Sequence, residues 1–157
     1  MNDRQKNRYR RVIRVLMIVV AAVLLLIGVA VPMINNAIAY GIEKDLRALP
    51  LPDGAQLIVS GSAAQRYSGT GSGIEYLGAL LLRTDMTREE LAAFYAPYVT
   101  ALETCTVVPA DGRQVLGREV FSAKAEDAGD GCFVVYTLKS ASGLPLRSLL
   151  ETDMRGH

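Results

Sequence analysis

Val15 to Ile34 reads VLMIVVAAVLLLIGVAVPMI, twenty residues without one charge. No other stretch limits the chain as much. At about 1.5 Å per residue a helix of this length spans roughly the 30 Å hydrocarbon layer of a bilayer. In lipid a helix satisfies its own backbone, and each polar group left unpaired there costs several kcal/mol. Gly28 and Pro32 do not oppose the assignment, since both residue types are commoner in membrane helices than in soluble ones. A buried helix of a soluble core seldom runs so long without a polar residue. The bilayer is therefore the expected partner of residues 15–34.

Charge sets the expected orientation. Residues 1–14 carry Arg4, Lys6, Arg8, Arg10, Arg11 and Arg14 against Asp3 alone, a balance of +5, whereas residues 15–157 carry −4. Basic residues close to a membrane helix favour the cytoplasmic side. Past the helix only Lys44 and Arg47 are near, beside Glu43 and Asp45. The expectation is a single-pass protein of the cell membrane, with a cytoplasmic N-terminal arm and the bulk of the chain outside. The arm also suits anionic head groups. A short basic arm next to a membrane segment serves topology first, so no nucleic-acid partner is expected.

A second fate competes with permanent anchoring. Ala37-Ile38-Ala39 fits the small-x-small pattern of a signal-peptidase site behind a basic segment and an apolar run. Cleavage after Ala39 would release the domain. The apolar run exceeds the usual length of a signal-peptide core, which favours a retained anchor.

The chain divides into an arm (1–14), a membrane helix (15–34), a juxtamembrane connector (35–53) and an extracytoplasmic domain (54–157). In the connector, Ile42, Leu46 and Leu49 stand at helical spacing, with Gly41 as a break point and Pro50 and Pro52 as a stop. Pro52-Asp53-Gly54 signals a turn. The remaining length supports one core.

Gln56–Ser62 reads as a strand. The segment AAQRYSGTGSG follows, and its Gly69, Gly71 and Gly73 invite a phosphate-loop reading. Such loops require a helix directly after the glycines, but Ile74–Leu82 reads as a strand, so a hairpin loop is expected. The middle of that strand is apolar on both faces, which places it centrally in a sheet. Thr87 and Glu90 form a capping box, with Met86 and Leu91 at the staple positions. Leu91, Phe94, Tyr95, Tyr98 and Leu102 then form one apolar helical face, interrupted by Pro97, which predicts either a kink or a stop near Ala96 with a short second piece. Thr104–Val108, Val115–Ala123 and Cys132–Lys139 read as three more strands, with turns at Asp111-Gly112 and Asp130-Gly131. A short helix is expected from Pro145, with Leu146, Leu149 and Leu150 on its apolar face. The fold class is α+β: a membrane helix, then an antiparallel β-β-α-β-β-β domain with one helix packed on the sheet.

Chemistry is sparse. Cys105 and Cys132, the two cysteines, lie in predicted strands on an oxidising side and form a disulfide candidate. Two cysteines suit that use better than zinc, which normally takes four ligands. His157 is the single histidine and the last residue, a poor place for a catalytic base or a metal ligand. Glu126–Asp130 lacks the ligand spacing of a calcium loop and reads as a solvated turn. No metal or cofactor is expected. Carboxylate-pair or Ser-Lys catalysis has no sequence signature here, and the lack of Trp ranks carbohydrate processing low. The expected function is a non-enzymatic interaction or accessory module of the cell envelope with a protein partner. The alternative is a ligand-binding or sensory ectodomain in which the Gly-rich loop and the tyrosines line a shallow pocket.

Overall fold

A computed structural model describes residues 3–65, 73–99, 104–110, 121, 129–141, 144 and 147–151. Helix α1 runs without interruption over Asp3–Arg47. Gly28, Pro32 and Gly41 all lie inside it, so Gly41 does not break the chain. Lys44 and Arg47 occupy its last turn, where cations complement the negative end of the helix dipole. Pro50 follows closely and prevents continuation.

The apolar span of α1 is bare, with Leu25 72% exposed. Further along, one stripe of the same helix is buried: Val31, Asn35, Ala39, Ile42, Glu43 and Leu46, three or four residues apart. That stripe packs on β1 and β2. The spacing read at Ile42 and Leu46 is therefore real, and it serves the core of the domain.

Four antiparallel strands form the sheet: β1 (Gln56–Gln65), β2 (Glu75–Arg83), β3 (Thr106–Pro109) and β4 (Cys132–Ser140), in the order β1-β2-β4-β3. β2 is an inner strand, buried from Tyr76 to Leu82 as its two-sided apolar sequence requires. Ile58 is an extra residue in β1, because Leu57 pairs with Leu82 and Val59 with Leu81. Asp53-Gly54 and Asp130-Gly131 make the expected turns, each glycine at positive φ (77° and 78°) where a side chain is disfavoured. Val115–Ala123 lies outside the described residues except Phe121, which stands at a bend.

Helix α2 (Arg88–Tyr95) starts at Thr87, whose capping box with Glu90 forms as expected. Pro97 ends it, and a 3-10 turn over Ala96–Tyr98 supplies the short second piece. Arg88 Nε donates to the Val107 carbonyl and ties α2 to β3. A last short helix, α3, covers Arg147–Leu150.

Both long helices cover one face of the sheet. There Leu46 of α1 and Leu91 and Tyr95 of α2 meet Leu80, Leu82, Val107 and Val135. The other face carries Leu77, Ala79, Leu81, Cys132 and Val134, packed with Ala110 and Phe121. A third cluster, Ala39, Ile42, Ile74, Tyr76 and Ala141, sits closer to the apolar span. β2 and α1 run in the same direction, because Tyr76 meets Asn35 and Leu82 joins the cluster of Leu46. The near end of the domain thus holds Tyr76, Ser140 and α3. The far end holds residues 50–54 and 84–90.

Candidate functional site

Two polar contacts lock α1 to the sheet. Asn35 is fully buried. The Tyr76 hydroxyl donates to its Oδ1 at 2.9 Å, and its Nδ2 donates to the Leu150 carbonyl at 3.1 Å. One side chain thereby joins α1, β2 and α3. Higher up, Ser60 Oγ donates to Glu43 Oε1 at 2.6 Å. Between them the helix comes so close that a Cβ at Gly78 would lie 2.8 Å from the Glu43 backbone nitrogen and 2.9 Å from Ile42 Cγ2. Only glycine fits a backbone approach of that kind.

Two concave surfaces lie at the far end. One, of about 530 Å³, is lined by Pro50, Leu51, Pro52, Asp53, Met86, Phe94 and Tyr98. An adjoining one, of about 310 Å³, shares Asp53 and Met86 and adds Gly54, Thr84, Asp85 and Glu90. Their lining combines apolar side chains, Pro50, Leu51, Pro52, Met86 and Phe94, with the acidic Asp53, Asp85 and Glu90. Glu90 belongs to the helix cap: the Thr87 backbone N–H and hydroxyl both donate to its Oε2, at 2.8 and 2.9 Å. The backbone bond first, then the hydroxyl, holds its carboxyl below the ordinary value. An ionised, capping carboxylate is no proton donor near neutral pH. Such a surface can bind an apolar group beside a cation.

The two tyrosines of the α2 region have different surroundings. Tyr98 lines the larger concavity. Tyr95 is buried, with its ring 5.1 Å from that of Phe94 in an edge contact. Burial, assisted by Cys105 and Tyr98, pushes its phenol up to about 12. Among the described residues its hydroxyl has no hydrogen-bond partner. The aromatic pair is therefore mostly core, with Tyr98 alone on the surface.

Cys105 and Cys132 stand as free thiols in this structure, so the expected bridge is not confirmed. Their strands do pair, but the register separates them. Cys132 stands opposite Ala110, whose N–H donates to its carbonyl at 2.9 Å, and Cys105 precedes Thr106, which pairs with Tyr136. The two levels are five residues apart along the chain, roughly 17 Å of strand, against the 7 Å beyond which Cα atoms are not bridged. The side chains also point to opposite faces, Cys105 among the helices and Cys132 with Leu81 and Val134. Burial raises the Cys105 thiol above its ordinary value, away from the thiolate a nucleophile needs.

No three His, Cys, Asp or Glu side chains converge as a metal site among the described residues. Gly69 and Gly71 lie outside the described residues, as do Glu126, Asp127 and His157. Gly73 leads into β2, so a strand follows it, and the helix a phosphate loop needs does not. Asn35, Glu43 and Gly78 were not singled out from sequence. Their signals were a polar residue directly after an apolar run and a glycine inside an otherwise apolar strand. Comparison with protein families, with curated proteins and with solved structures finds no match.

Proposed function

We propose that the protein is a single-pass, membrane-anchored accessory module of the cell envelope, N-terminus cytoplasmic and domain outside. One observation carries this reading: the helix that is long and apolar enough to cross a membrane continues unbroken into the domain core. A flexible tether lets a domain roam, whereas a continuous helix gives it a fixed height and tilt. That geometry suits a part which meets a neighbour at a set distance from the bilayer. The basic residues 4–14, in the first turns of α1, support the orientation.

The packing of Ala39 favours a retained anchor over release. Ala39 is 1% exposed within a helix, against Ile42 and Tyr76, so cleavage after it would cut a helix that the core of the domain uses. Crosslinking of the full chain in membranes, followed by mass spectrometry, tests the proposal. A reproducible envelope neighbour is the expected result, and recovery of monomer alone counts against it.

The far-end concavity supports the second reading, a ligand-binding ectodomain. Pro50, Pro52, Met86, Phe94 and Tyr98 give it apolar walls, and Asp53 and Asp85 give it negative charge. The occupant it suits is a cationic, partly apolar molecule. Thermal-shift screening of the full chain in detergent against such compounds tests this reading, and no stabiliser would remove it.

A further inference from the structure

Three turns of α1 carry two kinds of surface at one height. Val31 is 2% exposed, covered by the domain, whereas Val29, Met33 and Ile34 around it are 53%, 66% and 45% exposed. Ile27 and Ala30 are already half-buried. Bare valine, methionine and isoleucine on a single helix need an apolar surrounding. If lipid supplies it at Met33 and Ile34, lipid also reaches the level at which the domain covers Val31.

The tyrosines of α1 mark the same level. Tyr9 is 64% and Tyr40 58% exposed. Tyrosine collects at both membrane–water interfaces. Thirty-one residues separate the two, about 46 Å of helix, close to the roughly 40–45 Å of a bilayer with its head groups. Tyr40 then marks the outer edge of the headgroup layer. Asn35 lies five residues deeper, roughly 8 Å, and hydrogen-bonds Tyr76 and the end of α3. Arg147 and Ser148 are exposed on α3.

We propose that the near end of the domain, α3 with Tyr76 and Asn35 behind it, sits within the phospholipid headgroup layer. The lipid surface is then a direct contact of the folded domain as well as of the anchor. This rests on the reading of α1 as membrane-spanning. It leaves the far-end concavity as the surface presented to the aqueous side.

The chain has no tryptophan, so single-Trp variants report depth without a background. Ser148→Trp and Arg147→Trp probe α3, Glu89→Trp probes the far end, and Leu25→Trp probes the middle of the apolar span. Each full-length variant is placed in phosphatidylcholine vesicles with either a headgroup nitroxide lipid or a lipid brominated deep in its acyl chains. The two α3 variants should be quenched by the headgroup nitroxide at least twofold more than Glu89→Trp, and Leu25→Trp by the deep bromines. If Leu25→Trp is quenched but the α3 variants match Glu89→Trp, the domain stands clear of the lipid and the proposal is overturned while the anchor reading survives. If Leu25→Trp is not quenched by deep bromines, both fall.

Discussion

The Tyr76 hydroxyl and the Asn35 side chain meet at 2.9 Å inside the domain, where α1 leaves its apolar span. Both residues are fully buried. Asn35→Ala removes the bonds to the Tyr76 hydroxyl and the Leu150 carbonyl, and a lost intramolecular hydrogen bond costs about 0.5–1.5 kcal/mol. Tyr76→Phe removes only the first of these bonds. Urea unfolding of the full chain in detergent should show both variants destabilised. The double variant should fall short of the sum, because the two lose one shared bond. Full additivity would mean that the contact does not hold.

Gly78→Ala should separate α1 from the sheet. The added methyl meets the Glu43 backbone at 2.8 Å, and backbone cannot swing aside as a side-chain tip can. Overpacking of this kind typically costs about 1–3 kcal/mol. The Ser60–Glu43 bond should weaken with it, so Ser60→Ala should cost less in the Gly78→Ala background than alone. An equally stable Gly78→Ala variant would show that α1 does not lie this close.

Local signals made much of this fold legible, and non-local ones did not. The Thr87–Glu90 box, the helix end beside Pro97 and the turns at Asp53-Gly54 and Asp130-Gly131 are encoded within a few residues, and each appears where the sequence puts it, whereas Asp111-Gly112 lies outside the described residues. The central place of β2 follows from its own composition. The use of residues 35–47 does not. Their apolar positions are thin, with Ala39, Ile42 and Leu46 spread along one stripe, and what that stripe covers is decided by Gly78 more than thirty residues away. The cysteines fail for a related reason. The two strands were readable as turn-bounded runs, but their register was not, and a shift of a few residues carries a side chain to the other end or the other face.

The free thiols can be counted. Intact mass should be the same before and after reduction, because the register keeps Cys105 and Cys132 apart. Under native conditions Cys105, half-buried, should react with a maleimide before the buried Cys132. Its rate should still trail that of a free thiol at pH 8, since burial raises its pKa and lowers its thiolate fraction. A two-proton mass gain on reduction would restore the bridge.

Tyr95→Phe tests the unpartnered hydroxyl. The variant keeps the ring among Leu46, Leu80 and Leu91 and removes a buried oxygen that has no hydrogen-bond partner among the described residues. It should be at least as stable as the parent, since no bond is lost. The alkaline limb carries the sign. Burial lifts the folded phenol to about 12, whereas an unfolded tyrosine ionises near pH 10. The contribution is fully present below pH 10 and is lost as pH rises towards about 12, because the unfolded chain releases its proton first. Unfolding curves at pH 9 and pH 11 should therefore differ less for Tyr95→Phe than for the parent. An unchanged pH response would place the hydroxyl in water.

Retention of α1 is the prediction with the widest consequence. A cut after Ala39 would remove Val31, Asn35 and Ala39 from the buried stripe, and with Asn35 the partner of Tyr76. The remaining chain would keep Ile42 and Leu46 on too short a helix to hold them, because an isolated helix shorter than about 12–15 residues is marginal in water. The mature protein should therefore keep residues 1–39, and its intact mass from purified membranes should equal that of the full chain, with or without the first Met. Extraction at high salt or alkaline pH should leave it in the membrane fraction, and detergent should release it. A mature N-terminus at Tyr40, with the domain soluble and folded, would show that the sheet closes without the helix and that the α1 contacts are dispensable.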